Sequence, residues 1–596
     1  MIPESHFTSL LHTNYVPSAK ELNELQNLIL EPKQRIERFN DEIHRLQAER
    51  DELQQFVDNH SALTSPFRRF PADIWSEIFA QCLPTNKLNV ALCTSKEPPL
   101  LLTAVCRAWR EIALNTPRLW SALHVCVACT DTNLAFPAFL EGIKLWLDRS
   151  GSRPLTLSVS MSDCTPLNSP AAIDLNSTPY TALMDLLACY SHRWKTISLH
   201  FSVDSSHLRS LERLTRADLP LLETLYIAKC GLFVEVGMIS GSPIPPRVDP
   251  TPFANLLPQL PSFRSLHSQP ASPAVLNLAS TCRGLTQLTL GLSMPPTVVL
   301  RQIASSCRDL HILTIHSDLW ASPEDDAAAM LFANGPPIEW PSLQELNLLL
   351  EGSGYYVNTG GTASNTPHPF LQRTFESILT PQLRRLFIQF PRVRPKKPLV
   401  ENTVPFQSLI ASSPHLMHLQ LSGYAILNAE ALSQCLQLAP SLATLALRAR
   451  APLRTGRRGF RQGSVVLPLS GWLQRLLSSL NDLCACPEME MLDCGRCRHT
   501  EINSILEFAQ SWDRRMSRLK CLRADLGHLD EEEIYTVNSD AVVQALRALR
   551  GTNDISMDLE WERVAKPEPT KSHFDPSQGM PTGTSPWADD IFLSAM

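Results

Sequence analysis

Residues Leu383-Arg384-Arg385-Leu386-Phe387-Ile388 decide the fold of this chain, because the same Leu-x-x-Leu-x-Leu spacing returns along its length. It recurs as Leu222-x-x-Leu225-x-Ile227, Leu285-x-x-Leu288-x-Leu290, Leu310-x-x-Leu313-x-Ile315 and Leu343-x-x-Leu346-x-Leu348. Two further copies are Leu416-x-x-Leu419-x-Leu421 and Leu442-x-x-Leu445-x-Leu447, and weaker ones begin at Phe263, Met489 and Leu519. The last two apolar positions of each copy alternate with other residues, as the buried face of a short strand requires. Helix-like stretches lie between copies at 298–307, 370–379, 429–438 and 501–512. Upstream, a helix over 136–149 carries Phe139, Ile143 and Trp146 on one face, and 152–159 alternates as a strand. A helix over 180–192 then leads into Trp194-Lys195-Thr196-Ile197-Ser198-Leu199.

Successive copies are spaced by about 22 to 47 residues, and each is too small to hide its own apolar face. Stacked neighbours extend one core instead. The motif resembles the leucine-rich repeat, which implies a solenoid of short parallel strands with their leucines inward. Only Cys230 and Cys497 fill the repeat's Asn/Cys position, so a distorted solenoid is expected; an unrelated α/β domain is the other reading. Outward strand positions include Tyr226, Glu345, Arg385, Phe387 and His418. Their mixture of polar and aromatic side chains suits binding of a protein target, although any solvated strand face looks similar.

A second set of signatures precedes the repeats. Phe70-Pro71 is followed by Ile74-x-x-x-Ile78-Phe79, then Val105-Cys106-Arg107-x-Trp109-Arg110 and Pro117-x-Leu119-Trp120. Pro71 suits a first helical turn, where its missing N–H costs nothing. Ile74, Ile78 and Phe79 make one apolar stripe, and Leu102, Val105, Cys106, Trp109 and Ile112 make another at helical spacing. Two helices within about sixty residues have more apolar surface than they bury against each other. These residues resemble the F-box, and the layout of a heptad helix followed at once by Ser65-Pro66-x-Arg68-Arg69 and an F-box resembles a large group of F-box proteins in mushroom-forming fungi (basidiomycetes). The resemblance covers about a tenth of the chain. It implies docking onto the Skp-type adaptor of an SCF (cullin–RING) ubiquitin ligase, with Pro71, Ile74, Ile78, Phe79, Leu102, Val105, Cys106 and Trp109 at the adaptor. Burial of both stripes in a larger helical domain is the bland reading. Compact F-boxes join their helices more tightly than residues 84–99 do here, and that stretch reads as a surface loop.

Residues 20–60 keep a seven-residue apolar register: Leu22, Ile29, Ile36, Ile43 and Val57 on one set, Leu25, Phe39, Leu46 and Leu53 on the other. This is a coiled-coil seam. Pro32 predicts a break, with the longer helix starting there. Pairing with a second copy and folding back onto the F-box or the repeats both remain open. The expected architecture is thus α/β overall: a coiled-coil helical segment over 1–61, an all-α F-box over 62–124, an irregular leucine-rich-repeat-like solenoid over 130–563 and a disordered tail over 564–596.

Composition narrows the function. The chain has 596 residues, 44% hydrophobic and 19% charged, with formal net charge −6. That small charge points to neither nucleic acid nor a membrane surface. No apolar run approaches the ~20 residues of a spanning helix, and Met1-Ile2-Pro3-Glu4-Ser5-His6 opens no secretory signal. Forty-seven prolines against 22 glycines, clustered as in Ser242-Pro243-Ile244-Pro245-Pro246, punctuate many short elements. The sixteen cysteines form no disulfide-type array, which suits reduced thiols in the cytoplasm or nucleus. Cys484, Cys486, Cys494, Cys497 and His499 have zinc-ligand chemistry. Repeat register instead explains Cys486, Cys494 and Cys497 as small buried hydrophobes. Basic clusters at 392–397 and 454–461 read as solvated loops, or as import signals. No Gly-x-Ser-x-Gly, P-loop, His-Glu-x-x-His or dinucleotide fingerprint is present, and no cofactor or metal is implied. Two function classes follow. One is a non-catalytic substrate-recognition subunit of an SCF ligase, joined through the adaptor to a cullin and holding an unknown protein target. The other is a repeat scaffold with an F-box-like helix pair that joins no ligase.

Overall fold

The computed structural model describes residues 5, 7–64, 66–84, 90–92, 96–128, 136–162, 178–201, 211–229, 256–269, 279, 281–292, 296–318, 337–351, 372, 375–390, 404–423, 427–448, 471–483, 486–497, 501–513, 519–529 and 556–563. It divides into two compact units, Met1–Ile78 and Phe79–Met596, with the division inside the expected F-box. The expected tail, both basic clusters, Cys230, Cys484 and His499 lie outside the described residues.

The first unit is dominated by helix α1, Ala19–Thr64. Ser18 opens it: its hydroxyl and backbone N–H both reach a Glu21 carboxylate oxygen, at 2.7 and 2.8 Å. The expected break at Pro32 does not occur, and the proline lies inside one continuous helix. A proline removes a single intrahelical bond, and the strong helix formers on both sides carry the helix through it.

In the second unit, fifteen parallel strands among the described residues form one sheet in strict chain order. Each expected Leu-x-x-Leu-x-Leu copy yields a strand that starts two residues after its first leucine: Thr224–Lys229, Gln287–Leu292, Ile312–Asp318, Glu345–Glu351, Arg385–Gln389, His418–Ser422 and Thr444–Arg448. Leu225, Leu288, Leu313, Leu346, Leu386 and Leu419 are fully buried. This is a leucine-rich-repeat-like α/β solenoid. Helices close the other side of its core. Phe136–Arg149 buries Phe136, Ile143, Trp146 and Leu147, and Trp472–Leu483 buries an apolar face of its own.

The sheet carries register shifts at Leu155/Thr156, Asp493/Arg496 and Asp525/Gly527, and between them the backbone supplies what the missing Asn/Cys positions do not. Along the middle of the sheet, the residue before a strand donates its N–H to the carbonyl of its counterpart one repeat earlier. The bonds run from Thr286 to Arg264, His311 to Thr286, Gln344 to His311, Arg384 to Gln344, Met417 to Arg384 and Ala443 to Met417, all at 2.8–2.9 Å. Main-chain pairing thus carries the register where side chains do not. Two local expectations fail. Ala91–Leu92, placed in a surface loop by the sequence, pairs in parallel with Leu123 and His124 as the sheet's first strand, because Val90 and Ala91 are apolar and buried. Ile378–Leu379, expected to end a helix, pairs instead with Ile338–Glu339.

Candidate functional site

The F-box-like residues fall on three short helices. Helix α2, Ala72–Gln81, follows Pro71. The second apolar stripe is not one helix, as its spacing suggested, but two: α3, Leu100–Val105, and α4, Arg107–Leu114. Cys106 separates them with extended backbone (φ −155°, ψ 170°), and its sulfur accepts from the Trp109 N–H at 3.4 Å. A side chain able to cap the next helix competes with helical continuation.

This break sorts the expected adaptor-facing residues. Ile74 and Ile78 on α2 are 51% and 38% exposed, and Val105 on α3 is 55% exposed, next to Leu101 at 41%. Pro71 and Cys106 are exposed too. Phe79 and Leu102 depart from expectation, because the chain itself encloses them. Phe79 packs against the half-buried Trp109 with ring centroids 5.0 Å apart, so these side chains brace the helices from inside. Trp120 completes the region: it is fully buried, donates to the Ala113 carbonyl at 2.8 Å and meets Trp146 edge-on at 4.9 Å.

The outward strand positions do not gather into one site. Glu345, Arg385 and His418 are direct neighbours across three adjacent strands. Glu345 is buried; it accepts from the Asn347 amide at 2.8 Å and faces the Arg385 guanidinium at 3.6 Å. Phe387 is buried as well, contrary to its expected role as a free contact, and Arg385 is the most exposed of the set. His418 is half-buried, and burial, then the Arg385 charge, pushes its imidazole below the usual range. Tyr226 lies four strands from Glu345, roughly 19 Å at the usual strand spacing. It stacks on His267 at 4.0 Å, and burial pushes its phenol up to about 12.

Tyr226 belongs to a largely buried polar row that sequence reasoning did not recognise as one. His124, Ser158, Ser198, Tyr226, His267 and Thr289 are direct partners across six consecutive strands. His124 bonds Ser158 at 2.9 Å, and His267 bonds Ser265 at 2.8 Å and Thr289 at 2.7 Å. His200, two residues along the strand from Ser198, bonds that hydroxyl at 2.9 Å. Alternation alone carried the signal, since every second residue of these strands shares a face. Hydroxyl–imidazole pairs of this kind satisfy each other's bonding capacity in a buried setting.

Burial, then the neighbouring His124, pushes the His200 imidazole down to about 4. It is therefore neutral in the folded chain, whereas an unfolded imidazole takes up a proton near pH 6.5. Its contribution is complete above that pH and declines as pH falls from about 6.5 towards 4, by about 3 kcal/mol in all. Urea midpoints measured across this window should drop for the natural chain and drop less for His200→Gln. An equal slope in both proteins would remove His200 as the cause.

The three cysteines expected as buried hydrophobes behave so. Cys486 donates to the Leu436 carbonyl at 3.6 Å and Cys497 to the Cys494 carbonyl at 3.5 Å, and all three thiols are buried. Burial pushes the Cys486 thiol up to about 12. Among the described residues no His, Cys, Asp and Glu cluster is arranged to hold a metal ion, and no helix is long and apolar enough to cross a membrane.

The sequence matches no protein-family model and no curated protein. Among solved structures, the chain is similar to the mouse RP105/MD-1 complex at 14% identity, over 74% of this chain and 62% of that one, with TM-score 0.30. The yeast Rad7 and Elc1 complex matches at 12% identity, over 79% of this chain and 92% of that one, with TM-score 0.31. The TLR13–ssRNA13 complex matches at 12% identity, over 68% and 62%, with TM-score 0.19. The chain thus spans less than two thirds of the RP105 and TLR13 chains.

Proposed function

We propose that this chain is the substrate-recognition subunit of an SCF-type ubiquitin ligase. The helices of the F-box-like region dock a Skp-type adaptor, and through it a cullin, while the sheet of the solenoid holds a target protein. The observation that carries the reading is the split within the motif. Phe79, Leu102 and Trp109 turn inward, whereas Ile74 and Ile78 on α2, and Leu101 and Val105 on α3, keep large apolar side chains in solvent. Two exposed isoleucines on α2, and an exposed leucine and valine on α3, leave on each of these helices an apolar face open to a partner.

The mechanism is proximity. The chain does no bond chemistry; it raises the local concentration of a target lysine near a ubiquitin-conjugating enzyme carried elsewhere in the assembly. Arg385 and its strand neighbours belong to the target-facing side. Such a subunit works in the cytoplasm or nucleus, where its thiols stay reduced.

Co-expression with a Skp-type adaptor tests this directly. The natural chain should co-purify with the adaptor, and Ile78→Glu/Val105→Glu should weaken binding by on the order of 2 kcal/mol, roughly thirtyfold. Both positions are exposed, so circular dichroism of the variant should match the parent. A natural chain that captures no adaptor would leave a repeat scaffold outside any ligase.

A further inference from the structure

Helix α1 turns an apolar stripe to solvent along most of its length. Ile29, Ile36, Phe39, Ile43, Leu46 and Leu53 are 43–60% exposed and follow alternating three- and four-residue steps, broken only where Pro32 and Arg50 take core positions. A stripe sustained over about four heptads is what a second helix covers in a coiled coil. We propose that the covering helix is α1 of a second copy of this chain, running antiparallel, with Ile36 of one copy against Phe39 of the other.

Charge selects both direction and register. In a parallel, in-register pair each core residue faces itself, so Arg50 would meet Arg50 in the seam. The flanking positions gain no opposite charges there, because Arg35 falls beside Asn40, Glu42 beside Gln47 and Glu49 beside Gln54. Antiparallel packing of Ile36 on Phe39 removes both defects. Arg50 then lies over Leu25 of the second copy, and Ile29 lies over Leu46. Arg35 stands opposite Glu42 on each side of the two-fold axis, and no like charges meet at flanking positions.

Sliding the pair by one heptad in either direction brings Glu42 against Glu42 or Arg35 against Arg35, so this register is specified against its neighbours. The overlap from residue 22 to residue 53 is about 48 Å of helix at 1.5 Å per residue. Within one copy, the Glu42 carboxylate holds Arg45 at 2.6 Å in an exposed pair. Such a pair is weak and leaves the carboxylate able to serve Arg35 of the second copy.

Sedimentation equilibrium of the full chain gives the test. The natural protein should sediment at twice its 66.5 kDa mass, and Phe39→Glu should raise the dissociation constant at least about 100-fold by placing a carboxylate in the seam. Arg35→Glu and Glu42→Arg should each weaken the dimer about three- to tenfold, and Arg35→Glu/Glu42→Arg together should restore it. Rescue distinguishes the antiparallel register from a parallel one, in which residues 35 and 42 never meet. A natural chain that stays monomeric at every concentration, or a double swap no better than the single ones, overturns the proposal.

Discussion

Trp120→Ala should destabilise the Phe79–Met596 unit by about 3–5 kcal/mol, the range for deleting a fully buried tryptophan. Three contacts go at once. The indole N–H loses the Ala113 carbonyl, the ring loses its edge contact with Trp146, and the Arg149 guanidinium loses the face it covers at 4.9 Å. The Ala113 carbonyl keeps the Thr116 N–H at 3.3 Å, so most of the loss comes from the cavity. Trp120→Phe separates the two contributions: it keeps most of the ring volume and should lose only about 1–2 kcal/mol. Urea unfolding followed by circular dichroism reads both. If alanine left the midpoint unchanged, Trp120 would be no anchor. The position also matters for assembly, because Trp120 and Trp146 join α4 to the first long helix of the solenoid. An end repeat stripped of that lid exposes core, so Trp120→Ala should also raise aggregation on heating.

Gly495→Ala should cost about 3 kcal/mol or more, combining backbone strain with overpacking. Gly495 has φ +59°, and a Cβ there would sit 1.8 Å from the Leu447 carbonyl oxygen, a main-chain atom that has nowhere to go. The close approach is part of a bulge, since the register between the strands Met491–Arg496 and Cys521–Leu529 shifts between Asp493 and Arg496. The buried Asp493 carboxylate fixes the turn by accepting from the Gly495 N–H at 2.8 Å and pairing with Arg448 at 2.9 Å. Two controls calibrate the result. Gly423, with φ +71° and a would-be Cβ 2.9 Å from the Phe390 carbonyl oxygen, should respond less. Gly142, inside the helix Phe136–Arg149 with nothing within 4 Å, should gain stability as alanine. Equal effects at Gly495 and Gly142 would contradict the close approach.

Much of the solenoid was legible because its signal is periodic and repeated. Leu225, Leu288, Leu313 and Leu346 announce inward strand positions by spacing alone. Local competition between neighbouring residues was not legible. Cys106 lies within an unbroken apolar spacing, yet its capping bond splits the stripe into two helices. Pro32 has the opposite effect: a residue read as a break is carried through by forty-five helical companions. The short pair Ala91–Leu92 was hidden because two residues give no alternation to read.

Burial on the outward sheet face was the least legible feature. Spacing shows which face a residue shares but not how closely its neighbours on adjacent strands approach. Glu345 and Phe387 were therefore expected as free contacts although both are enclosed. In the F-box-like region the motif identified the helices, but only three-dimensional packing separated braces such as Phe79 and Leu102 from the side chains left facing water.

The main-chain bonds that precede the middle strands have a last consequence. Because rung after rung along the middle of this ladder is tied to the one before it through peptide groups, its alignment there is indifferent to which amino acids occupy those sites. Whole turns can be lengthened or re-surfaced with new side chains while the stack stays in step, and the molecule can change what it grips without rebuilding what holds it up.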